Sequence, residues 1–243
     1  MGPWFVAPPP CWTAGEVRLP PEESHHARRV LRVSPPDVIT VTDGEGTVAN
    51  CSVRSISNDA VVAEVVERSV HRRLRPEVVV YQAEAKSSKV DAVVERLAEL
   101  GVAETYAFES ARTVARWDAK KVQRLDERWT VIARSAAKQS RNPFVMGTKP
   151  GLDFSDLIAR IGREPLAVCL WEEASLPLRT ALMSPAERVA LVVGPEGGFE
   201  RAEAEALADA GAQLVSLGPR ILRTENAAFA ATSALLFHYG LLG

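Results

Sequence analysis

The sequence predicts an α/β protein with a mostly parallel sheet, preceded by a small β-rich domain. Three observations lead there. The first seventy or so residues run in short strand-like segments broken by turn residues. After the polar, basic, Pro-terminated stretch His71-Arg72-Arg73-Leu74-Arg75-Pro76, strands and helices alternate. Two of the later strands, 166–170 and 189–193, are continuous apolar runs bounded by turn residues, the pattern of parallel strands covered on both faces.

In the first part, Val38-Ile39-Thr40-Val41-Thr42 is a strand run, and Asp43-Gly44-Glu45-Gly46 supplies a tight turn. Thr47–Ile56 returns as a second strand, Asn58-Asp59 marks another turn, and 60–70 is rich in Val. A short helix over 21–31 has Pro at its start, where a missing N–H is harmless. Strands at this spacing suggest a small barrel. In the second part, 78–82 reads as a strand. Ser87 or Ser88 can cap a helix whose Val90, Val93, Val94, Leu97 and Leu100 recur at helical spacing up to Gly101. A strand follows over 102–108, and Asp118 caps a long helix. A helix from near Glu200 to Gly211 precedes a strand at 214–217. The last helix, about Asn226–Tyr239, is apolar nearly all round; such a helix is buried on every side, which favours a homodimer interface.

At 243 residues the chain is long enough to bury two modest cores or one large one. No apolar run reaches the eighteen or so residues of a bilayer span, and the N-terminus lacks a signal peptide's basic start. Cys11, Cys51 and Cys169 are odd in number and far apart, which suits a reducing cytoplasm and neither a disulfide framework nor a zinc site. His25, His26, His71 and His238 have no metal-ligand spacing, so no metal is expected. The net charge is only −2. Between Arg112 and Arg141, however, nine Lys/Arg stand against three acids, whereas 142–209 holds six against eleven. A split of this kind fits either a phosphate-binding face or a solvated helix face.

Three loops follow strand ends of the second part, where open α/β sheets bind ligands. They are Trp171-Glu172-Glu173-Ala174, Gly194-Pro195-Glu196-Gly197-Gly198-Phe199, and Gly218 through Asn226. Three glycines in six residues allow a ligand close to the main chain. The second loop is neither a Walker loop, which ends in Lys-Ser/Thr, nor a G-x-G-x-x-G dinucleotide fingerprint.

The 194–199 motif, with Leu217-Gly218-Pro219-Arg220-Ile221-Leu222-Arg223-Thr224-Glu225, resembles the signature pair of bacterial 16S ribosomal RNA uridine-N3 methyltransferases of the SPOUT class. The likeness extends over nearly the whole chain. His26–Val33 is similar to the family's Val-Leu-Arg helix, Lys86, Lys89 and Glu99–Val102 to the start of its second domain, and Ala136–Arg141 to its basic segment. Two positions depart from the pattern: Asn226 stands where Thr is expected, and Glu200 where Ser or Thr caps the next helix. Glu203 keeps half of that capping box.

The resemblance implies a PUA-like β-barrel over 1–71 and a SPOUT-type trefoil-knotted methyltransferase domain over 72–243. It implies S-adenosyl-L-methionine as cofactor, held by Leu170, Gly194, Pro195, Glu196, Gly197, Gly198, Leu217, Gly218, Arg220, Ile221, Leu222 and Thr224. Glu196 either faces the cofactor's cation or merely precedes a helix. Arg223 and Glu225 are the catalytic candidates, or else a structural ion pair at the last helix's N-terminus, where Glu is favoured. Arg28, Arg29, Arg32, Lys86, Lys89, Lys138 and Arg141 are the expected RNA contacts, with 16S rRNA in the small ribosomal subunit as partner and no membrane. The alternatives are a SPOUT enzyme acting on another RNA position and a non-catalytic RNA-binding assembly factor.

Overall fold

Ile39, Val41, Ala49, Cys51, Val53, Val61 and Ala63 recur at mostly every second position of their segments, and all are buried in one cluster with Phe5, Val17 and Leu19. This alternation builds the first sheet. In the computed structural model, which describes residues 2–57, 60–84, 87–113 and 117–243, the sheet order is β1-β3-β4-β5-β2. Its strands are β1 (Trp4–Val6), β2 (Glu16–Arg18), β3 (Val38–Thr42), β4 (Thr47–Ile56) and β5 (Val61–Val70). β1 runs parallel to β3 and the remaining pairs are antiparallel. Two register shifts in the β4–β5 pair, at Asn50/Cys51 and Val53/Ser55, add the local twist that bends a long hairpin. β1 and β2, three residues each, are too short to announce themselves in the sequence. The 43–46 turn forms as expected: the Asp43 carboxylate accepts the N–H groups of Glu45 (2.7 Å) and Thr47 (2.9 Å).

This first compact unit comprises the first 73 residues together with Arg134–Val145. The expected helix over 21–31 is α1 (Pro21–His25), continued as a π-turn over His26–Val30. The turn ends at Arg32 with φ 54°, and Val33 N–H reaches back to the Ala27 carbonyl (2.9 Å). Arg141 does the same at its own helix end, with φ 54° and Asn142 N–H on the Ala137 carbonyl (2.9 Å). Glycine is the usual residue at such left-handed helix ends.

The second unit, Leu74–Ala133 with Met146–Gly243, is a six-stranded parallel sheet of order β11-β9-β10-β6-β7-β8. The strands are β6 (Glu77–Ala83), β7 (Glu104–Phe108), β8 (Gly147–Leu152), β9 (Ala167–Leu170), β10 (Arg188–Val193) and β11 (Gln213–Val215). Helices α2 (Ser87–Glu99), α3 (Ala119–Ser140), α4 (Phe154–Ile161), α5 (Leu178–Ala181), α6 (Arg201–Asp209) and α7 (Thr224–His238) connect or cover them. Val79, Tyr81, Ala190 and Val192 face a core shared with Leu157 and Ile161 of α4 and Ala204 and Leu207 of α6. The other face of β6 meets α7, where the Gln82 amide bonds Thr224. Trp129 of α3, 1% exposed, donates its indole N–H to Asp91 of α2 at 2.9 Å. Asp118 caps α3 as expected, accepting Lys121 N–H at 2.7 Å; the cap expected of Ser87 or Ser88, and the Asn58-Asp59 turn, lie outside the described residues.

Two expectations change. α7 is not buried on every side within the chain. Ala228, Ala231, Thr232, Leu235 and Leu236 are inside, while Phe229 (42% exposed) and Phe237 (71%) stand on an open face. A helix apolar all round therefore presents one unpartnered face. β8 is not legible in the sequence, because Gly147-Thr148-Lys149-Pro150-Gly151 has little strand character; as an edge strand it tolerates its Pro. Among the described residues no helix is long and apolar enough to cross a membrane, and no group of three His, Cys, Asp or Glu is arranged to hold a metal.

Lys138, placed by sequence in an RNA-contacting segment, bonds Glu23 at 2.7 Å in the first unit, with side chains 20% and 6% exposed. Removing one member of a buried pair strands the other charge. Lys138→Ala is expected to lower the unfolding free energy by roughly 2–4 kcal/mol in chemical denaturation, with most of the loss recovered in the Glu23→Gln/Lys138→Met double variant. A stability equal to wild type in the single variant would leave Lys138 as a surface cation.

Candidate cofactor and active site

Parallel strands end in loops on one edge of their sheet, and that edge is where the three glycine- and acid-rich segments converge. β9, β10 and β11 are neighbours, so Trp171-Glu172, Gly194–Phe199 and Ser216–Arg223 emerge side by side. They enclose a cavity of about 560 Å³ within the second unit. Its walls include Leu170, Glu172, Gly194, Pro195, Glu196, Gly198, Leu217, Gly218, Arg220, Ile221, Leu222, Arg223 and Thr224. That volume is within the roughly 300–1,000 Å³ of small-molecule sites.

The glycines have specific reasons. A Cβ on Gly194 would meet the Phe199 ring at 3.0 Å, and that ring is fixed by stacking on Phe108 (6.3 Å between centroids, 5° between planes). Gly198 has φ 70° and sits against the Glu172 carboxylate, whereas Gly218, at φ 110°, faces open space. The side-chain-free wall thus leaves main-chain groups accessible.

Polar contacts tie the loops together. The Thr224 hydroxyl donates to the Gly194 carbonyl at 2.6 Å. The Lys89 ammonium donates to Glu196 at 2.7 Å and lies 3.8 Å from Glu225. The Glu196 hydrogen bond holds the Lys89 amine above its ordinary range. Glu203, buried on α6, accepts the N–H groups of Glu200 (2.9 Å) and Ala111 (2.8 Å). Arg112 donates to the Gly197 carbonyl at 2.7 Å. Below the cavity, burial pushes the Cys169 thiol far above its ordinary range, so it offers no thiolate nucleophile.

Of the twelve sequence-derived cofactor residues, Gly197 alone is not in the wall; its carbonyl is turned to Arg112. Arg223 lines the cavity at the N-terminus of α7, but Glu225 does not. Glu225 pairs with Lys89 and not with Arg223, so the structural ion pair considered for those two residues is not formed. Sequence reasoning flags the loop at Trp171-Glu172 and names Phe199 within its glycine motif without assigning either to the site, and it gives Gln82 no role. A polar Gln ending an apolar strand run was the available signal for the last.

The basic stretch is mostly occupied. Arg112, Lys121, Arg128, Arg134 and Lys138 pair with Glu200, Glu84, Asp91, Glu22 and Glu23. Lys89 is likewise engaged at the cavity rim. Arg29, Arg32 and Arg141 are exposed and Arg28 half-buried, all in the first unit. Lys86 and Arg116 lie outside the described residues.

Comparison with known proteins bears on this arrangement. Residues 72–236 match the family model of the RNA methyltransferase domain, and residues 19–66 that of the RNA methyltransferase PUA domain. Ribosomal RNA small subunit methyltransferase E of Mycobacterium tuberculosis is 36% identical over 218 residues, covering 88% of this chain and 83% of its own. The Bacillus subtilis protein of that name is 34% identical over 229 residues, covering 91% and 90%. The chain belongs to this family of RNA methyltransferases. Two solved relatives carry S-adenosylmethionine. One is a putative methyltransferase from Legionella pneumophila (TM-score 0.88, 27% identity, 98% of both chains). The other is ribosomal RNA small subunit methyltransferase E from Neisseria gonorrhoeae (TM-score 0.86, 26% identity, 98% of both chains).

Proposed function

We propose that this protein transfers methyl from S-adenosylmethionine to N3 of a uridine in 16S ribosomal RNA of the small subunit, in the cytoplasm. The observation that carries the reading is one cavity formed jointly by the 194–199 and 216–223 loops. Its donor set fits the cofactor. Leu170, Ile221 (89% exposed) and Leu222 offer apolar surface for a purine, glycine main chain offers close hydrogen bonds, and the Glu172 and Glu196 carboxylates suit hydroxyls and positive charge. The trefoil-knotted threading expected of the SPOUT class is part of the same reading.

When bound, the cofactor supplies an electrophilic methyl on a sulfonium sulfur. The chain's residues do the rest. N3 lies on the Watson–Crick edge, so the target base must be unpaired or turned out of its helix to reach the cavity. As N3 loses its proton, charge grows on the flanking carbonyl oxygens. Arg223, which lines the cavity at the positive end of α7, is the donor that this reading assigns to that charge. Glu225 acts through Lys89, holding its ammonium against Glu196 at the cavity rim.

For the RNA grip, Arg28, Arg29, Arg32 and Arg141 of the first unit are the phosphate contacts of this reading. Lys89 and Lys138 serve structure instead. Arg32 and Arg141 hold left-handed backbone where Gly is the usual residue, which points to a use for their side chains. The open face of α7, with Phe229 and Phe237, is proposed as the homodimer contact.

Ribosomal RNA from cells lacking this protein, digested and analysed by mass spectrometry, is expected to lose an N3-methyluridine that returns on complementation. An unchanged modification profile would overturn the assignment. Arg223→Ala is expected to reduce single-turnover methyl transfer by about 10²–10³, the usual effect of losing one preorganised donor, with S-adenosylmethionine affinity nearly unchanged by calorimetry. A wild-type rate would remove Arg223 from the chemistry.

A further inference from the structure

We infer that Gln82, a residue outside the cavity wall, is a positioning residue that sets the shape of the cofactor cavity through Thr224. Gln82 is fully buried, at the carboxyl end of β6, and pairs in register with Val193, the residue before Gly194. Its neighbours Tyr81 and Ala83 face the α4 and α6 core, so Gln82 points to the opposite face, beneath α7. There its amide nitrogen donates to the Thr224 hydroxyl at 2.8 Å and to the Ala83 carbonyl at 3.0 Å. The Thr224 hydroxyl, 4% exposed as a residue, passes its own proton on to the Gly194 carbonyl at 2.6 Å.

The direction of this chain is fixed by chemistry. The Gly194 carbonyl only accepts, so Thr224 must donate to it. The Thr224 oxygen must then accept from Gln82, whose amide has two protons and uses both. Pro195 follows Gly194, so the bond pins a peptide group that has no N–H of its own to anchor it. The relay therefore joins three elements: a central strand, the loop that opens the cavity, and the first turn of α7, which follows directly on the loop that closes it.

Its one poor feature is informative. Among the described residues, Gln82 Oε1 is buried with no hydrogen-bond partner. A residue chosen for stability alone would not leave an acceptor orphaned beside an apolar sheet, since an apolar side chain of similar shape removes both the bonds and the orphan. What Gln supplies and an apolar residue does not is a donor aimed at Thr224.

The inference rests on the reading that this cavity takes S-adenosylmethionine, and calorimetry with S-adenosylmethionine alone separates the two. Wild-type, Thr224→Val, Thr224→Ser and Gln82→Met proteins are compared, with thermal unfolding of each. Thr224→Val and Gln82→Met are expected to weaken binding about tenfold each, the effect of one lost hydrogen bond. Thr224→Ser, which keeps the hydroxyl, restores it. Gln82→Met should keep the wild-type melting temperature, because it also removes the orphaned acceptor. In the Gln82→Met/Thr224→Val double variant the loss should be no greater than in either single one, as for links of one chain. Unchanged affinity in both single variants, losses that multiply in the double variant, or weakened binding that tracks a fall in melting temperature would overturn the relay. If Thr224→Val does not fold, Gln82→Met decides. Wild-type protein that fails to bind would overturn the cofactor reading, and the relay's role with it.

Discussion

The cavity depends on one hydrogen bond between residues thirty apart in the chain, from the Thr224 hydroxyl to the Gly194 carbonyl. Glycine-rich loops give main-chain access to a ligand, but the same freedom leaves them without a preferred shape. The protein offsets that loss with contacts within the loops and from the elements around them. Phe199 packs against Gly194, Glu203 holds the start of α6, Arg112 holds the Gly197 carbonyl, and Thr224 holds Gly194 itself. The loops stay bare toward the cavity and are tied down behind it.

Electrostatics at the rim follow the same division. Two carboxylates from different elements, Glu196 and Glu225, share the Lys89 ammonium. A cation that the sequence suggested for RNA neutralises acid beside the cavity. Arg223, one residue before Thr224, lines the cavity and has no such partner among the described residues. The cationic groups near the site thus separate by role: Lys89 holds structure, and Arg223 faces the space where chemistry is proposed.

Much of this was legible in the sequence, for identifiable reasons. β-branched runs such as Val189–Val193 mark buried parallel strands, and two glycine motifs directly after strand ends mark a ligand edge. The resemblance of those motifs to a methyltransferase family agrees with the family models matched over 19–66 and 72–236. What could not be read depended on partners distant in the chain. The nine cations of 112–141 suggest a free basic face, yet five of them meet acids that lie 37 or more residues away in the chain and are reached only once it folds. β8 is made a strand by its neighbour β7, against its own Gly and Pro content. Gln82 gains its importance only when α7 returns beneath it.

A crystal structure of the protein grown with S-adenosylhomocysteine tests the central claim most directly. The account predicts the nucleoside lodged between Gly194–Phe199 and Ser216–Thr224, with hydrogen bonds mainly to main-chain groups of those turns. Product bound elsewhere on the molecule, or held with the two turns drawn apart, would contradict it.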